Sequence, residues 1–522
     1  MARERTKVCQ SNCNKRLWAD SPSTRSPFRS YSGTLLSGTL PQLNIPNTVW
    51  SESESSTPTR KRLSNPAALA IAAEHDLERR CGQVRGPLHG VPVLVKESIA
   101  TIDAMQTTAG SWALLGSVVP QDSDVVSSLR VAGAVVLGKA NMSEWASVRS
   151  RAESAGYSPR GGQVRNPYDL RKTPHGSSSG SAVAVSANLA PLAIGTETDT
   201  SIIGPASTNG IVGIKPTVGL TPRSGAIPVS ESMDIVSQRR QPDSYLDCLS
   251  TAEALRGARF GLPMKRVWEE VPHGCKEVAS RVLDAVKAAD AEILDVDFPS
   301  VEERVNEEGT WDWEHGGSER SEWTVAKVEA YDGINAYLAK LKESPVRSLE
   351  DVIRYNRENA GTEDGEPRVH PAFPDGQQTL LEIAESSGVR DDTYHAALRH
   401  IRRQTRENGI DAALRGCRGG RGDGDGEPVV TTALGALLFC DRRDVGQQYA
   451  AQAGYHIICI PVGVDENGLP VSLWVPHTVW KEAELVKWAS AIEDLRNREN
   501  GWRATPAYGN LYAEIIPLEG LD

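Results

Sequence analysis

The stretch PHGSSSGSAVAVSANLAPLAIGTETDTSIIGPA (residues 174–206) places two serines, Ser177 and Ser201, on turns of small residues. Residues 181–190, which lie between them, are small and apolar enough for a buried helix, and residues 192–197 predict a strand leading into the second turn. A serine hydroxyl is a weak nucleophile until a neighbouring base accepts its proton. The stretch therefore indicates a reactive serine on an α/β scaffold, and it has no His or Asp at the usual hydrolase positions.

Lys96 is the candidate base, because it ends the apolar run VPVLV (residues 91–95), which predicts a buried strand. Burial disfavours the charged ammonium and lowers the pKa of a fully desolvated lysine by up to roughly 3–5 units. Lys96 can then accept a proton near neutral pH, with Ser177 relaying it from Ser201. His175 offers a weaker alternative, a Ser-His dyad.

Three segments carry a resemblance to a known family: LHGVPVLVKESIAT (88–101), GSSSGSAVAV (176–185) and GTETDTSIIGPASTNGIVGIKPT (195–217). They resemble the amidase signature family, whose members use a Ser-Ser-Lys triad. The resemblance implies that Ser201 is the nucleophile, that Ser177 is the bridging serine after a cis peptide, and that Lys96 is the base. It also implies an α/β fold, the amidase-signature fold, in which a mixed central β-sheet is surrounded by α-helices.

The implied activity is that of an amidohydrolase, which cleaves the C–N bond of a linear carboxamide through a serine acyl-enzyme. In this family the oxyanion hole is built from backbone N–H groups of the turn that ends at the nucleophile. Here that turn, called the serine turn below, consists of Thr198, Asp199, Thr200 and Ser201. Two other segments match family sequence near the site, one at residues 107–110 and one at 141–144, and hydrogen bonding is the expected role of the second.

Two departures from the family pattern support an alternative, a catalytically impaired or inactive amidase-like protein. Family members have one or two glycines before the nucleophile, whereas this chain has Asp199 and Thr200. If residue 200 needs a positive φ, a β-branched side chain there is strained by about 1–3 kcal/mol. The second departure follows Asp234, where the similarity stops until LRGARFGLP (255–263). A segment of the family pattern is missing there, and we interpret the junction as imperfect gene prediction or decay.

The resemblance spans residues 65–235 strongly and 255–500 more loosely, which predicts one domain over residues 65–510 behind a poorly ordered tail and linker, residues 1–64. The parts of the domain are core motifs at 88–217, a variable helical region at 300–410 and a closing segment at 445–495. Tryptophans of the variable region, Trp311, Trp313 and Trp323, favour core packing over an acyl pocket.

Local patterns predict individual elements. We expect helices at residues 65–81, capped by Asn65, and from a cap at Asp122 or Ser123 to Ala132. A strand is predicted at 134–138, and two later helices follow from apolar faces, one with Tyr394, Leu398 and Ile401 and one with Leu485, Trp488, Ile492 and Leu495.

Composition limits the partners. The 522 residues carry a net charge of −11, so a nucleic-acid surface is not expected. No run of eighteen apolar residues predicts a membrane span, and the eight scattered cysteines lack metal-ligand spacing. We therefore expect no metal and no cofactor, and the resemblance implies a small-molecule amide as substrate. Transamidation with a partner that supplies ammonia and a homodimer both stay open. Scattered cysteines favour a reducing, cytoplasmic location, with an N-terminal transit peptide as the alternative.

Overall fold

The computed structural model describes residues 64–234, 244–305, 312–360, 373–416, 434–440 and 445–498. The predicted tail and linker therefore lie outside the described residues, except for Ser64, and so does the end of the predicted domain after residue 498. The family-like core motifs lie wholly inside them. The division into tail and domain thus stays a prediction, whereas the arrangement of the core motifs can be described in full.

The strands in the described ranges are β1 (Pro92–Lys96), β2 (Val135–Ala140), β3 (Tyr157–Ser158), β4 (Gly162–Gln163), β5 (Leu192–Ile194), β6 (Gly213–Lys215), β7 (Arg259–Pro263), β8 (Glu292–Val296), β9 (Ala436–Leu437), β10 (Ile457–Val464) and β11 (Pro470–Pro476).

The α-helices in the same ranges are α1 (Ala68–Arg80), α2 (Asp124–Val131), α3 (Ser179–Ser186), α4 (Ile203–Thr208), α5 (His273–Ala288), α6 (Val301–Arg304), α7 (Glu322–Lys340), α8 (Leu349–Glu358), α9 (Gln378–Ser386), α10 (Asp392–Thr405), α11 (Asp411–Leu414), α12 (Val445–Ala453) and α13 (Glu482–Arg498).

The first sheet has the order β2-β1-β5, and both of its pairings are parallel. Strand β1 is central, and all five of its residues are buried, as expected for a parallel strand with an apolar sequence. Val95 is paired with Ile194 and Lys96 with Ala140. This register brings the carboxyl ends of β1 and β5 to the same edge of the sheet, where both family-like serine segments begin.

Two further three-stranded sheets complete the scaffold. One has the antiparallel order β11-β10-β6 and the other the parallel order β8-β7-β9. An isolated bridge between Phe439 and Trp474 connects them. Parallel and antiparallel pairings occur together and helices pack around them, which confirms the expected mixed α/β architecture.

Most of the predicted elements are present with shifted ends. Helix α1 begins at Ala68, and Asn65 Oδ1 accepts a hydrogen bond from the Ala67 N–H at 3.0 Å. Helix α2 is capped by Ser123, whose Oγ accepts from the Val126 N–H at 3.3 Å. The helix predicted at residues 181–190 ends earlier, at Ser186, because Asn188 takes a left-handed φ of 57° that a helix cannot contain.

The variable region packs as a core of helices. Trp323 on α7 is buried, and its ring lies 5.7 Å from that of Trp313 within one apolar cluster. This arrangement supports core packing for these two tryptophans, whereas Trp311 lies outside the described residues. In α10 the predicted face is present, with Tyr394 and Ile401 buried and Leu398 packed against the same cluster.

Three properties of the described residues bear on location and metal binding. No helix among them is both long and apolar enough to cross a membrane. They also contain no group of three or more His, Cys, Asp or Glu side chains that could hold a metal ion. Cys248 and Cys459 are free thiols, whereas Cys81 is disulfide-bonded, so the reducing compartment stays a prediction.

Candidate active site

Lys96 ends the central strand of the first sheet, and its side chain is completely buried. Its Nζ donates to Ser177 Oγ at 2.7 Å and to the Thr196 carbonyl at 3.2 Å. Burial lowers the pKa of Lys96 to about 7, because desolvation disfavours the ammonium more than the nearby carboxylates of Glu197, Asp234 and Glu153 favour it. A substantial fraction of the amine is therefore neutral at physiological pH.

Ser177 lies between Lys96 and Ser201. The Gly176-Ser177 peptide is cis, as the resemblance implies, and the Ser177 side chain is fully buried. Its Oγ forms a hydrogen bond with Ser201 Oγ at 3.0 Å, besides the one from Lys96. The three predicted residues thus form one continuous hydrogen-bonded chain that runs from an amine through two hydroxyls.

Ser201 follows β5 and precedes helix α4, and 8% of its surface is exposed. The Ser201 carbonyl accepts from the Ser178 N–H at 3.2 Å, which joins the two serine segments through their backbones. Thr200 has a φ of 59°, in the left-handed region where glycine is favoured. Residue 200 therefore has the positive φ that strains a β-branched side chain.

Two carboxylates hold the serine turn. Glu197 Oε2 accepts from the N–H groups of Ile202 and Ile203, the latter at 2.9 Å, and burial raises the pKa of Glu197. At the start of the turn, Thr198 Oγ1 donates to Asp234 Oδ1. Burial likewise raises the pKa of Asp234, to about 6. Acidic side chains thus hold the chain at the start of the serine turn and just after it.

The other two family-like segments contribute hydrogen bonds around this chain. Ser143 donates its N–H to the Ser177 carbonyl at 3.2 Å, and its Oγ accepts from the Gly156 N–H at 2.9 Å. In the segment at 107–110, Thr108 Oγ1 donates to Glu97, which also pairs with Arg160 at 2.9 Å. Both segments therefore lie in the buried polar shell of the first sheet.

His175 directs its Nδ1 at the neighbouring backbone, where this nitrogen lies 2.9 Å from both the Gly176 carbonyl oxygen and the Gly176 nitrogen. The arrangement favours the lysine chain over a Ser-His dyad. A second buried lysine, Lys139, was not identified from the sequence. Burial lowers the pKa of Lys139 to about 7. Its signal was available, because Lys139 follows the strand-forming run AVVLG (134–138) just as Lys96 follows its own run.

The junction after Asp234 falls on residues 235–243, outside the described residues, so the proposed loss of a segment stays a hypothesis. A cavity of about 400 Å³ lies beside Asp234 and is also lined by residues of β5 and β6. Thr198, Ile202 and Asp234 line it, whereas Lys96, Ser177 and Ser201 do not. Ser178 and Thr196 also line it, so the cavity adjoins the triad although none of the three triad side chains lines it.

Comparisons with known proteins show which family the chain resembles over most of its length. The family Amidase matches residues 52–238. A Schizosaccharomyces pombe protein named "Putative amidase C869.01" is 41% identical over 486 residues, which cover 87% of this chain and 81% of the relative. A glutamyl-tRNA(Gln) amidotransferase subunit of Anaeromyxobacter dehalogenans is 30% identical, with 82% and 86% of the two chains covered.

Among solved structures, peptide amidase in complex with the competitive inhibitor chymostatin is similar with a TM-score of 0.73 and 34% identity. The match covers 91% of this chain and 96% of the peptide amidase. Native peptide amidase from Stenotrophomonas maltophilia matches with a TM-score of 0.71 and 35% identity, over 86% and 90% of the chains. Sequence similarity and fold similarity together define an α/β amide hydrolase.

The chain belongs to the amidase signature family. It is an amidase, and its fold is the amidase-signature fold that the three motifs implied.

Proposed function

We propose that this amidase cleaves linear carboxamides with Lys96, Ser177 and Ser201 as a Ser-Ser-Lys triad. The observation that carries the proposal is the unbroken chain of hydrogen bonds, 2.7 Å from Lys96 Nζ to Ser177 Oγ and 3.0 Å from there to Ser201 Oγ. Both distances are within range for proton transfer between positioned groups. The pKa of Lys96, about 7, supports the role of base.

The proposed reaction begins with neutral Lys96, which draws a proton from Ser201 through Ser177. Ser201 Oγ then forms a bond to the amide carbonyl carbon, and backbone N–H groups of the serine turn stabilise the negative oxygen. The proton returns through Ser177 to the leaving amine as the C–N bond breaks. Water next attacks the acyl-enzyme under the same base, which releases the carboxylic acid and restores the Ser201 hydroxyl.

Peptide amides are the first substrates to test, because the peptide amidase structures match nearly the full length of both chains. Similarity to one component of an amidotransferase supports a second candidate, transfer of ammonia to a partner substrate. A third candidate is an impaired amidase, which the left-handed φ of Thr200 supports. Assays with amides and with glutamine as ammonia donor separate the first two.

A fluorophosphonate probe tests the triad directly, because it reacts with an activated serine and needs no known substrate. We expect labelling of the wild type and loss of labelling in Ser201→Ala. The matched control is Ser181→Ala, since Ser181 lies on α3 and donates to the Ile194 carbonyl at 3.1 Å, outside the chain of reacting groups. Well-folded wild-type protein that stays unlabelled at Ser201 would defeat the proposal and favour the impaired amidase.

A further inference from the structure

A buried glutamate of the variable helical region lies far along the sequence from the triad yet contacts the segment beside it. Glu329 is on α7, and 3% of its surface is exposed. Its Oε2 accepts from the Ser232 N–H at 3.1 Å, from Ser232 Oγ at 3.0 Å and from Ser230 Oγ. Its Oε1 accepts from the Tyr394 hydroxyl at 2.8 Å. Four donors on one buried carboxylate make a fixed anchor.

The segment that Glu329 holds, called the 230–234 turn here, ends at Asp234. The Asp234 N–H donates to the Ser230 carbonyl at 2.7 Å, which closes the turn. Asp234 Oδ2 accepts from the Val229 N–H at 2.9 Å, and this hydrogen bond within the same segment orients the carboxylate. The other oxygen, Oδ1, accepts from Thr198 Oγ1. Thr198 is the first residue of the serine turn.

These contacts form a continuous path from α7 to the nucleophile: Glu329 to the 230–234 turn, Asp234 to Thr198, and three residues onward to Ser201. Oxyanion stabilisation depends on donors that are fixed before the reaction, because reorganisation during the reaction would offset the gain. The serine turn lacks the glycines of the family and carries a left-handed Thr200. A turn that is strained in this way persists only when its surroundings hold it.

We propose that Glu329 and Asp234 are positioning residues, which hold the backbone donors of the serine turn in place through the Thr198 hydroxyl. The proposal rests on the proposed function for its kinetic consequence, but the mechanical link is independent of activity. Neither carboxylate has a hydrogen bond to Lys96, Ser177 or Ser201 among the contacts of the described residues, and their link to the serine turn is the one from Asp234 to the Thr198 hydroxyl. Asp234 also lies close enough to Lys96 to raise its pKa, which agrees with its position beside the triad.

The kinetic test uses Thr198→Val, which keeps the shape of the side chain and removes its hydroxyl donor, and Thr198→Ser, which keeps the donor. A hydrogen bond to a charged group contributes enough for its loss to reduce kcat about tenfold to a hundredfold. We expect that loss in Thr198→Val, with KM changed less than about twofold, and most of kcat restored in Thr198→Ser.

Glu329→Ala extends the test to α7, and Glu350→Ala is its matched control. Glu350 also accepts from a tyrosine hydroxyl, that of Tyr331 at 2.9 Å, but it is exposed on α8. Glu329→Ala should lower kcat, and it should add little to the loss already caused by Thr198→Val, because the two changes interrupt one path. Glu350→Ala should behave as the wild type.

Hydrogen exchange of the peptide that spans residues 195–204 measures the link without turnover. We expect faster exchange in Thr198→Val and Glu329→Ala, and wild-type exchange in Glu350→Ala. A wild type that the probe does not label, together with these exchange changes, would defeat the proposed function and leave the positioning link standing. Unchanged exchange of this peptide in both Thr198→Val and Glu329→Ala would overturn the positioning link, whether or not the wild type is active. If Glu329→Ala fails to fold, the Thr198 pair decides alone.

Discussion

Replacing Lys96 by Met should flatten the dependence of the free energy of unfolding on pH in mildly alkaline solution. The side chain is completely buried, and burial lowers its pKa in the folded protein to about 7. In the unfolded chain a lysine keeps its proton up to a pKa of roughly 10.4. Between these two values the unfolded state binds one proton more than the folded state, so stability rises with pH.

The size of the effect follows from the number of protons. One proton of difference corresponds to about 1.4 kcal/mol per pH unit in the free energy of unfolding. Lys139 is buried with a pKa of about 7 as well, so it adds to the wild-type slope. Lys96→Met removes one of these contributions and should lower the slope by about 1.4 kcal/mol per pH unit between pH 8 and 9.

Urea denaturation at half-unit steps from pH 7.5 to 9 measures this slope for wild type and variant. Lys340→Met is the matched control, since Lys340 is exposed on α7 and its ammonium stays in water in both states. It should keep the wild-type slope. If Lys96→Met also keeps that slope, Lys96 is charged in the folded protein at these pH values. The triad would then lack its base, and the reasoning from burial to basicity would be refuted.

Two further predictions concern the site itself. The rate of Ser201 labelling by a fluorophosphonate should rise as pH increases through about 7 and level off above it, because only neutral Lys96 accepts the proton. A labelling rate that is independent of pH from 5.5 to 9 would contradict this prediction. Thr200→Gly should relieve a strain of roughly 1–2 kcal/mol that the left-handed φ imposes on Thr200. The greater conformational entropy that glycine loses on folding offsets roughly 0.5–1 kcal/mol of this gain. Urea denaturation should therefore give an equal or slightly higher free energy of unfolding for the variant. A loss above about 1 kcal/mol would mean that the Thr200 side chain is needed.

The hydrogen-bonded chain from Lys96 through Ser177 to Ser201 could be predicted from sequence because each part has a local signal. Lys96 follows an apolar run, and Ser177 and Ser201 sit in small-residue turns at the ends of a short helix and a strand. Local chain geometry and the parallel pairing of β1 with β5 then bring these parts to one edge. Even the left-handed φ of Thr200 could be anticipated, by comparing its position with the glycines of the family.

The supporting contacts could not be predicted in this way, because they join segments that are distant in sequence. Glu329 is 99 residues from Ser230, and Asp234 is 36 residues from Thr198. Nothing in the local pattern of α7 says which loop its buried carboxylate meets, since that depends on how the helices of the variable region pack. The end of the helix predicted at 181–190 was wrong for a local reason, because Asn188 takes a left-handed φ that ends the helix despite its helix-forming composition.

The contacts of Lys96 depend on the register in which β1 pairs with β5. Lys96 lies one residue beyond the pair Val95 and Ile194, and it contacts Thr196, two residues beyond that pair on the other strand. A slip of one residue would move the strands by about 3.3 Å and turn the side chain to the other face of the sheet. Under the proposed mechanism, labelling of Ser201 therefore requires β1 and β5 to be aligned in this register.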